Sequence, residues 1–213
     1  MSKLLITRPE HDITTRYLAK WSEEIIKEAQ AKGMGVIDLH RTKANRERVI
    51  GVMEKISPRL VVLNGHGSKN SVAGHEDEVI LESSDKKAVK SKIIFARSCQ
   101  SAQGLGQKSI ANGANAYLGY KEDFLLAYNP SKISRPLEDK TAKLFLEPSN
   151  AVAVSLLKNH STGYADKKAK DLFRRNVKNL LVKGPSGDDY FTVKYLLWDM
   201  THQVCLGDMD AIL

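Results

Sequence analysis

Two patterns of apolar residues alternate along this chain: short unbroken runs, and longer stretches in which apolar residues recur every three or four positions. Leu4 to Thr7 is the first short run, closed by Arg8 and Pro9. Over 14–31, Tyr17, Leu18, Trp21, Ile25, Ile26 and Ala29 fall at helical spacing, with Asp12 as a cap and Gly33 and Gly35 as the stop. Val36 to Leu39 predicts a second strand. Val49, Ile50, Val52, Met53 and Ile56 predict a helix over 45–56 that Pro58 ends, and Leu60 to Leu63 predicts a third strand. Strand, helix, strand, helix, strand is the signature of a parallel sheet with right-handed crossovers.

The segment 68–91 opens polar, passes through Val79, Ile80 and Leu81, and carries a short helix near 85–89. It reads as a small hairpin or flap, or as a mobile activation loop. Ile93 to Ala96 predicts a fourth strand, 101–111 a helix weakened by Gly104 and Gly106, and 113–120 a turn and a fifth strand. Beyond Tyr120 the spacing becomes mostly helical: 138–146, 151–157 after a break at Pro148, and 165–181, with one more apolar stretch over 191–200. The pattern predicts one α/β domain, with 1–125 as the core and 126–213 as a mostly helical part packed on it.

Composition narrows the class. With 213 residues, 42% of them hydrophobic, the chain can bury a sizeable core. No apolar run is long enough to span a bilayer, and the first residues do not form a secretory signal, so a cytoplasmic protein without membrane partners is expected. Cys99 and Cys205 are the only cysteines. No disulfide framework is implied, and in a reducing compartment Cys99 stays a free thiol. The formal charge of +8 invites an anionic partner. The basic residues are scattered, however, and no reading motif accompanies them, so nucleic-acid binding is the least favoured class.

The chemistry gathers at the ends of two apolar runs. Leu60-Val61-Val62-Leu63 breaks into Asn64-Gly65-His66-Gly67, and Ile93-Ile94-Phe95-Ala96 breaks into Arg97-Ser98-Cys99. In an open parallel sheet the carboxyl ends of the strands line the ligand crevice. A thiol becomes a nucleophile only with a base or an electropositive setting, and His66 can be that base and later the acid that protonates a leaving amine. The N–H groups of Gly67 and Cys99 could form an oxyanion hole, and a helix starting just after Cys99 would favour negative charge there. His75 beside Glu76, Asp77 and Glu78 lacks partner ligands at metal spacing, and His11, His40, His160 and His202 show no constellation. Neither metal nor cofactor is expected, and Cys205 reads as structural.

These motifs resemble the caspase-like cysteine peptidases of clan CD, the group that contains caspases, legumains, clostripain, gingipains, separases and CHAT domains. The shared pattern is an apolar block ending in His-Gly, then an apolar block ending in a small residue and Cys. Gly113-Ala114-Asn115-Ala116-Tyr117-Leu118-Gly119-Tyr120 is similar to the strand that follows the nucleophile in these domains. The resemblance covers about half the chain and is nearest to bacterial CHAT and gingipain-like members. It implies a three-layer α/β sandwich with a mostly parallel sheet, a His66–Cys99 dyad, and a protein or peptide substrate cleaved through a thioester. The caspase pentapeptide is absent, and the 33-residue step from His66 to Cys99 is shorter than the roughly fifty of caspases. By the same likeness the residue two before the nucleophile lines the specificity pocket. Arg97 would there favour an acidic residue before the scissile bond, assisted by Arg8, with Asn64 and Asp123 also at the substrate. Alternatively Arg97 pairs with Glu122 or Asp123, and if those carboxylates face the pocket the preference inverts. A catalytically silent interaction or signalling module is the other reading, and a regulatory protein acting in trans fits either.

Overall fold

The computed structural model describes residues 3–184, 187 and 189–213. Its central sheet has six strands: β1 (Lys3–Arg8), β2 (Gly35–His40), β3 (Leu60–Asn64), β7 (Ile93–Arg97), β8 (Ala116–Tyr120) and β9 (Gln203–Gly207). Their spatial order is β2-β1-β3-β7-β8-β9, and all pair in parallel except β9, which runs antiparallel to β8. The apolar runs are unbroken because both faces are covered. Leu4, Ile6, Val62 and Phe95 point into a core shared with α1 (Ile13–Trp21), α2 (Glu23–Ala31), α6 (Lys140–Leu157) and α7 (Thr162–Val182). Leu5, Val61, Leu63 and Ile94 point the other way, onto α3 (Arg46–Lys55) and α5 (Leu105–Ala111). The result is a sheet between two helical layers.

Several expected elements change form. The helix expected over 14–31 is two helices that meet at Ser22, a fully buried residue whose Oγ donates to the Leu18 carbonyl at 2.7 Å. Asp12 caps the first, accepting from the Thr15 N–H while the Thr15 side chain binds back. The hairpin or flap is an ordered three-stranded sheet of β4 (Gly67–Ser68), β5 (Ser71–Ala73) and β6 (Val79–Glu82), followed by the one-turn α4 (Lys86–Val89).

Pro148 does not break its helix; it lies inside α6. A proline there cannot donate to the carbonyl four residues back, that of Leu144. The Asn176 Nδ2 of α7 supplies the missing bond at 2.9 Å. The apolar stretch over 191–200 lies in α8 (Asp189–His202), which runs directly into β9. That sixth strand was not foreseen, because no turn residue separates it from the helix. Its first residue, Gln203, is fully buried and donates to Asp166 Oδ1 at 2.9 Å. Among the described residues, no helix is long and apolar enough to cross a membrane.

Candidate active site

The sheet register fixes where the two candidate residues leave the sheet. β3 and β7 are adjacent and parallel, with Asn64 opposite Arg97. His66 lies two residues beyond Asn64, and Cys99 two residues beyond Arg97. Both residues therefore leave the carboxyl ends of neighbouring strands, each two positions past the last paired residue. Two backbone features hold the loops together. Gly65 has φ +145°, and a Cβ there would sit 2.0 Å from the Ala73 carbonyl oxygen. Gly67 packs directly on the nucleophile turn, where a Cβ would sit 2.7 Å from the Cys99 carbonyl oxygen. After Cys99 the chain turns sharply through Gln100 at φ 56°, the kind of constrained backbone that clusters at functional sites.

His66 has a third partner. Its Nε2 lies 2.5 Å from Asp12 Oδ2, which leaves Nδ1 as the nitrogen free to exchange a proton. Burial opposes ionisation of Asp12, but the hydrogen bonds from His66 and Thr15 outweigh it and hold the carboxyl below its ordinary range. The sequence reading saw Asp12 only as a helix cap. Its second role comes from a residue 54 positions away and has no local signature.

Cys99 is half-buried. Burial pushes its thiol up to about 11, a backbone hydrogen bond at Phe124 acts in the opposite direction, and Asp123 raises it further. The helix expected just after the thiol begins only at Leu105, and its first N–H groups, those of Gly104 and Leu105, donate to the Lys69 carbonyl. The expectation of a helix N-terminus at Cys99 is thus corrected, and burial disfavours the thiolate there. The Gln100 and Ala102 N–H groups donate to the carbonyls of Glu122 and Tyr120. Those two donors are unavailable to a substrate oxygen, and Gly67 and Cys99 stay the candidates.

Three expected substrate contacts are corrected. Arg97 is fully buried and pairs with neither Glu122 nor Asp123. Its Nε and Nη2 donate to Asn64 Oδ1 at 3.0 and 2.7 Å, its Nη1 to Asn150 Oδ1 at 2.9 Å, and its Nη2 to Ser22 Oγ at 2.8 Å. Burial draws its pKa down to about 10. Asn64 is equally buried and donates from Nδ2 to the Thr7 carbonyl at 2.5 Å. Arg8 is committed to Asp38 through two bonds of 2.8 and 2.5 Å, with Glu23 at 3.6 Å. Arg97 and Asn64 thus form a polar bolt that joins β1, β3, β7, α6 and the α1–α2 junction. Asp123 alone of the four is exposed, and it accepts from the Gln100 Nε2 at 3.0 Å.

The strap that follows β8 ties this turn to α8. Trp198 Nε1 donates to the Asp123 carbonyl at 3.0 Å, and the Leu125 N–H donates to Asp199 Oδ1 at 2.9 Å. Asp199 is fully buried, and burial holds its carboxyl well above the ordinary range against the Leu125 hydrogen bond.

The residues best placed to hold a metal are not those around His75. His11, Asp12 and His66 offer donor atoms that all lie within 4.8 Å of one another. His75 instead packs edge-on against His11 at 5.4 Å and accepts from the Glu10 N–H at 3.4 Å.

No protein-family model matches the chain, and no curated protein matches it in sequence. Among solved structures it is similar to the Arg specific cysteine proteinase gingipain R, with a TM-score of 0.66 and 12% identity, over 100% of this chain and 47% of that one. A complex of the pro- and mature domains of the Porphyromonas gingivalis enzyme RgpB gives 0.61 and 11%, over 100% and 48%. A third structure, described as a protease, gives 0.50 and 17%, over 99% and 48%. The chain spans about half the length of each of these proteins. At such identities the likeness is one of fold: in architecture the chain is a caspase-like α/β sandwich of the kind found in gingipain R.

Proposed function

We propose that the chain is a cysteine peptidase in which Cys99 is the nucleophile, His66 the base and acid, and Asp12 the group that orients His66. The observations that support this reading are the β3–β7 register, in which His66 and Cys99 each follow by two residues a facing pair at the ends of adjacent strands, and the bond from Asp12 to His66. The fold shared with cysteine proteinases supports it, and the narrower likeness to CHAT domains belongs to the same proposal.

Because burial disfavours the thiolate, the chemistry begins with the substrate in place. His66 takes the Sγ proton as the sulfur–carbon bond forms at the peptide carbonyl, whose oxygen the Gly67 and Cys99 N–H groups receive. The imidazolium, steadied by Asp12, then gives that proton to the departing amine as the carbon–nitrogen bond breaks. Water, deprotonated by His66, attacks the thioester and releases the acid, and the proton returns to the sulfur. Closing a peptide over Cys99 changes its surroundings, and delivering the His66 nitrogen to the sulfur offsets the burial that opposes the thiolate.

The raised Cys99 pKa also favours a second reading, a domain that binds a partner and does not turn over unless activated. Peptidyl electrophiles with acidic, basic or apolar end residues separate the two. Selective labelling of Cys99 that falls in a His66→Ala variant supports the peptidase. Labelling no faster than that of a free thiol by every probe overturns it for the isolated chain.

A further inference from the structure

His11 has no part in that chemistry, yet its ring is drawn into the mouth of the site. Its Nε2 lies 3.7 Å from Asp12 Oδ2 and 3.2 Å from Asp77 Oδ1, and the His66 Nε2 lies 2.5 Å from the same Asp12 oxygen. Its ring stands edge-on to both His66 and His75, at 5.9 and 5.4 Å between centroids. The buried Nδ1 of His11 has no hydrogen-bond partner among the described residues. Packing therefore fixes this imidazole while its Nε2 is aimed at two carboxylates.

Donor atoms around a tetrahedral zinc ion, at bonds of about 2.0–2.1 Å, stand about 3.3 Å apart. The separations found here fall on both sides of that value. The Asp12 carboxylate sits on the short side with respect to His66, so it must turn away for an ion to enter. Two imidazoles and a carboxylate suit zinc and its transition-metal neighbours, whereas magnesium and calcium prefer an all-oxygen set. Asp12 and Asp77 would offset the ion's charge. All three central residues are half-buried, so an ion reaches them without the core opening.

We propose that His11, Asp12 and His66, with Asp77 beside them, form a site for one zinc-class divalent ion that silences the dyad. An ion on the Nε2 lone pair of His66 puts the neutral ring's proton on Nδ1, so that nitrogen has no lone pair with which to take the Sγ proton. It also takes Asp12 away from its orienting role. The silencing rests on the peptidase reading; the binding does not.

The test is a cobalt(II) titration of the full chain followed by visible absorption, with zinc calorimetry alongside. One ion per chain is expected, with the bands of tetrahedral cobalt and without the near-ultraviolet thiolate-to-cobalt band. Binding should persist in Cys99→Ala. It should weaken more than about tenfold in His11→Ala, the least expected when a supporting ligand group is lost. Zinc should block electrophile labelling of Cys99 in the wild type, while His11→Ala labels at the wild-type rate with or without zinc. Should His11→Ala fold poorly, His11→Gln keeps the side-chain bulk and removes the ligand. Equal zinc affinity in wild type and His11 variants overturns the site, as does loss of binding in Cys99→Ala, which would put the ion on the thiol. If Cys99 never labels, the peptidase reading fails, and the cobalt spectrum still decides the metal site.

Discussion

Replacing Arg97 with methionine separates the role the structure gives it from the role its position suggests. The guanidinium makes close hydrogen bonds to Asn64 Oδ1, Asn150 Oδ1 and Ser22 Oγ. Ser22 keeps its own bond to the Leu18 carbonyl, so the substitution orphans two carboxamide oxygens. A buried acceptor without a donor costs about 1–3 kcal/mol, which puts the gross loss at roughly 2–6 kcal/mol. Methionine is freed from the burial that draws the arginine's pKa to about 10, and this relief offsets part of the loss. A net destabilisation of about 2–4 kcal/mol follows, a large share of an ordinary domain's 5–15 kcal/mol. Urea unfolding at pH 7 gives the number, with Trp21 and Trp198 as fluorescent reporters, provided the slope of the transition is unchanged. In an Asn64→Leu background the Arg97→Met effect should shrink, because one of the orphaned oxygens is already gone. A variant within about 0.5 kcal/mol of wild type refutes the bolt. So does intact stability with an altered preference for acidic end residues, which would return Arg97 to the pocket wall.

Asp12→Asn keeps the helix cap but not the carboxylate beside His66, so thermal stability should stay close to wild type while labelling of Cys99 by its best peptidyl probe falls about a hundredfold. An unchanged rate would remove Asp12 from the site. A small alkylating agent without a peptide should react with Cys99 slowly at neutral pH and faster by about tenfold per pH unit toward 11, since burial raises the thiol. The stability linked to that thiol has the matching sign: it is fully present below the ordinary thiol pKa and lost as pH rises through about 11, which alkaline unfolding of wild type against Cys99→Ser would reveal. Gly67→Ala, whose methyl would meet the Cys99 carbonyl at 2.7 Å, should lose about 1–3 kcal/mol and most of the labelling. Asn176→Ala should cost about 1–3 kcal/mol, and clearly less in a Pro148→Ala background, where an N–H is restored to the Leu144 carbonyl.

The parallel strands were legible because burial on both faces leaves a sequence of unbroken apolar runs. The equivalent placing of His66 and Cys99 after adjacent strands was legible for the same reason, since each follows such a run at the same offset. Arg97 and Asn64 were misread, because a charged or polar residue at a strand end suggests a surface. The usable signal was their pairing: two polar residues at the same register position of adjacent strands satisfy each other more readily than they face water. β9 was hidden because helix and strand join without a turn, and the continuity of α6 because the Asn176 bond that rescues Pro148 lies in another helix. The link of Asp12 to His66 and the gathering of His11 beside it are long-range facts that only the folded chain states.

The polar bolt has a consequence for how this molecule opens. It ties together the central strands, and amides of such core strands characteristically exchange with solvent only on global unfolding. The pairing of β3 with β7, which sets where His66 and Cys99 leave the sheet, should therefore be as durable as the fold itself. The strap over Cys99 hangs from α8 by the half-exposed Trp198 and by Asp199, whose carboxylate is poorly solvated where it sits. In a hydrogen-exchange experiment the amides of 121–125 should lose protection well before those of β3 and β7, so the segment beside Cys99 would move by a sub-global opening that leaves these two strands paired.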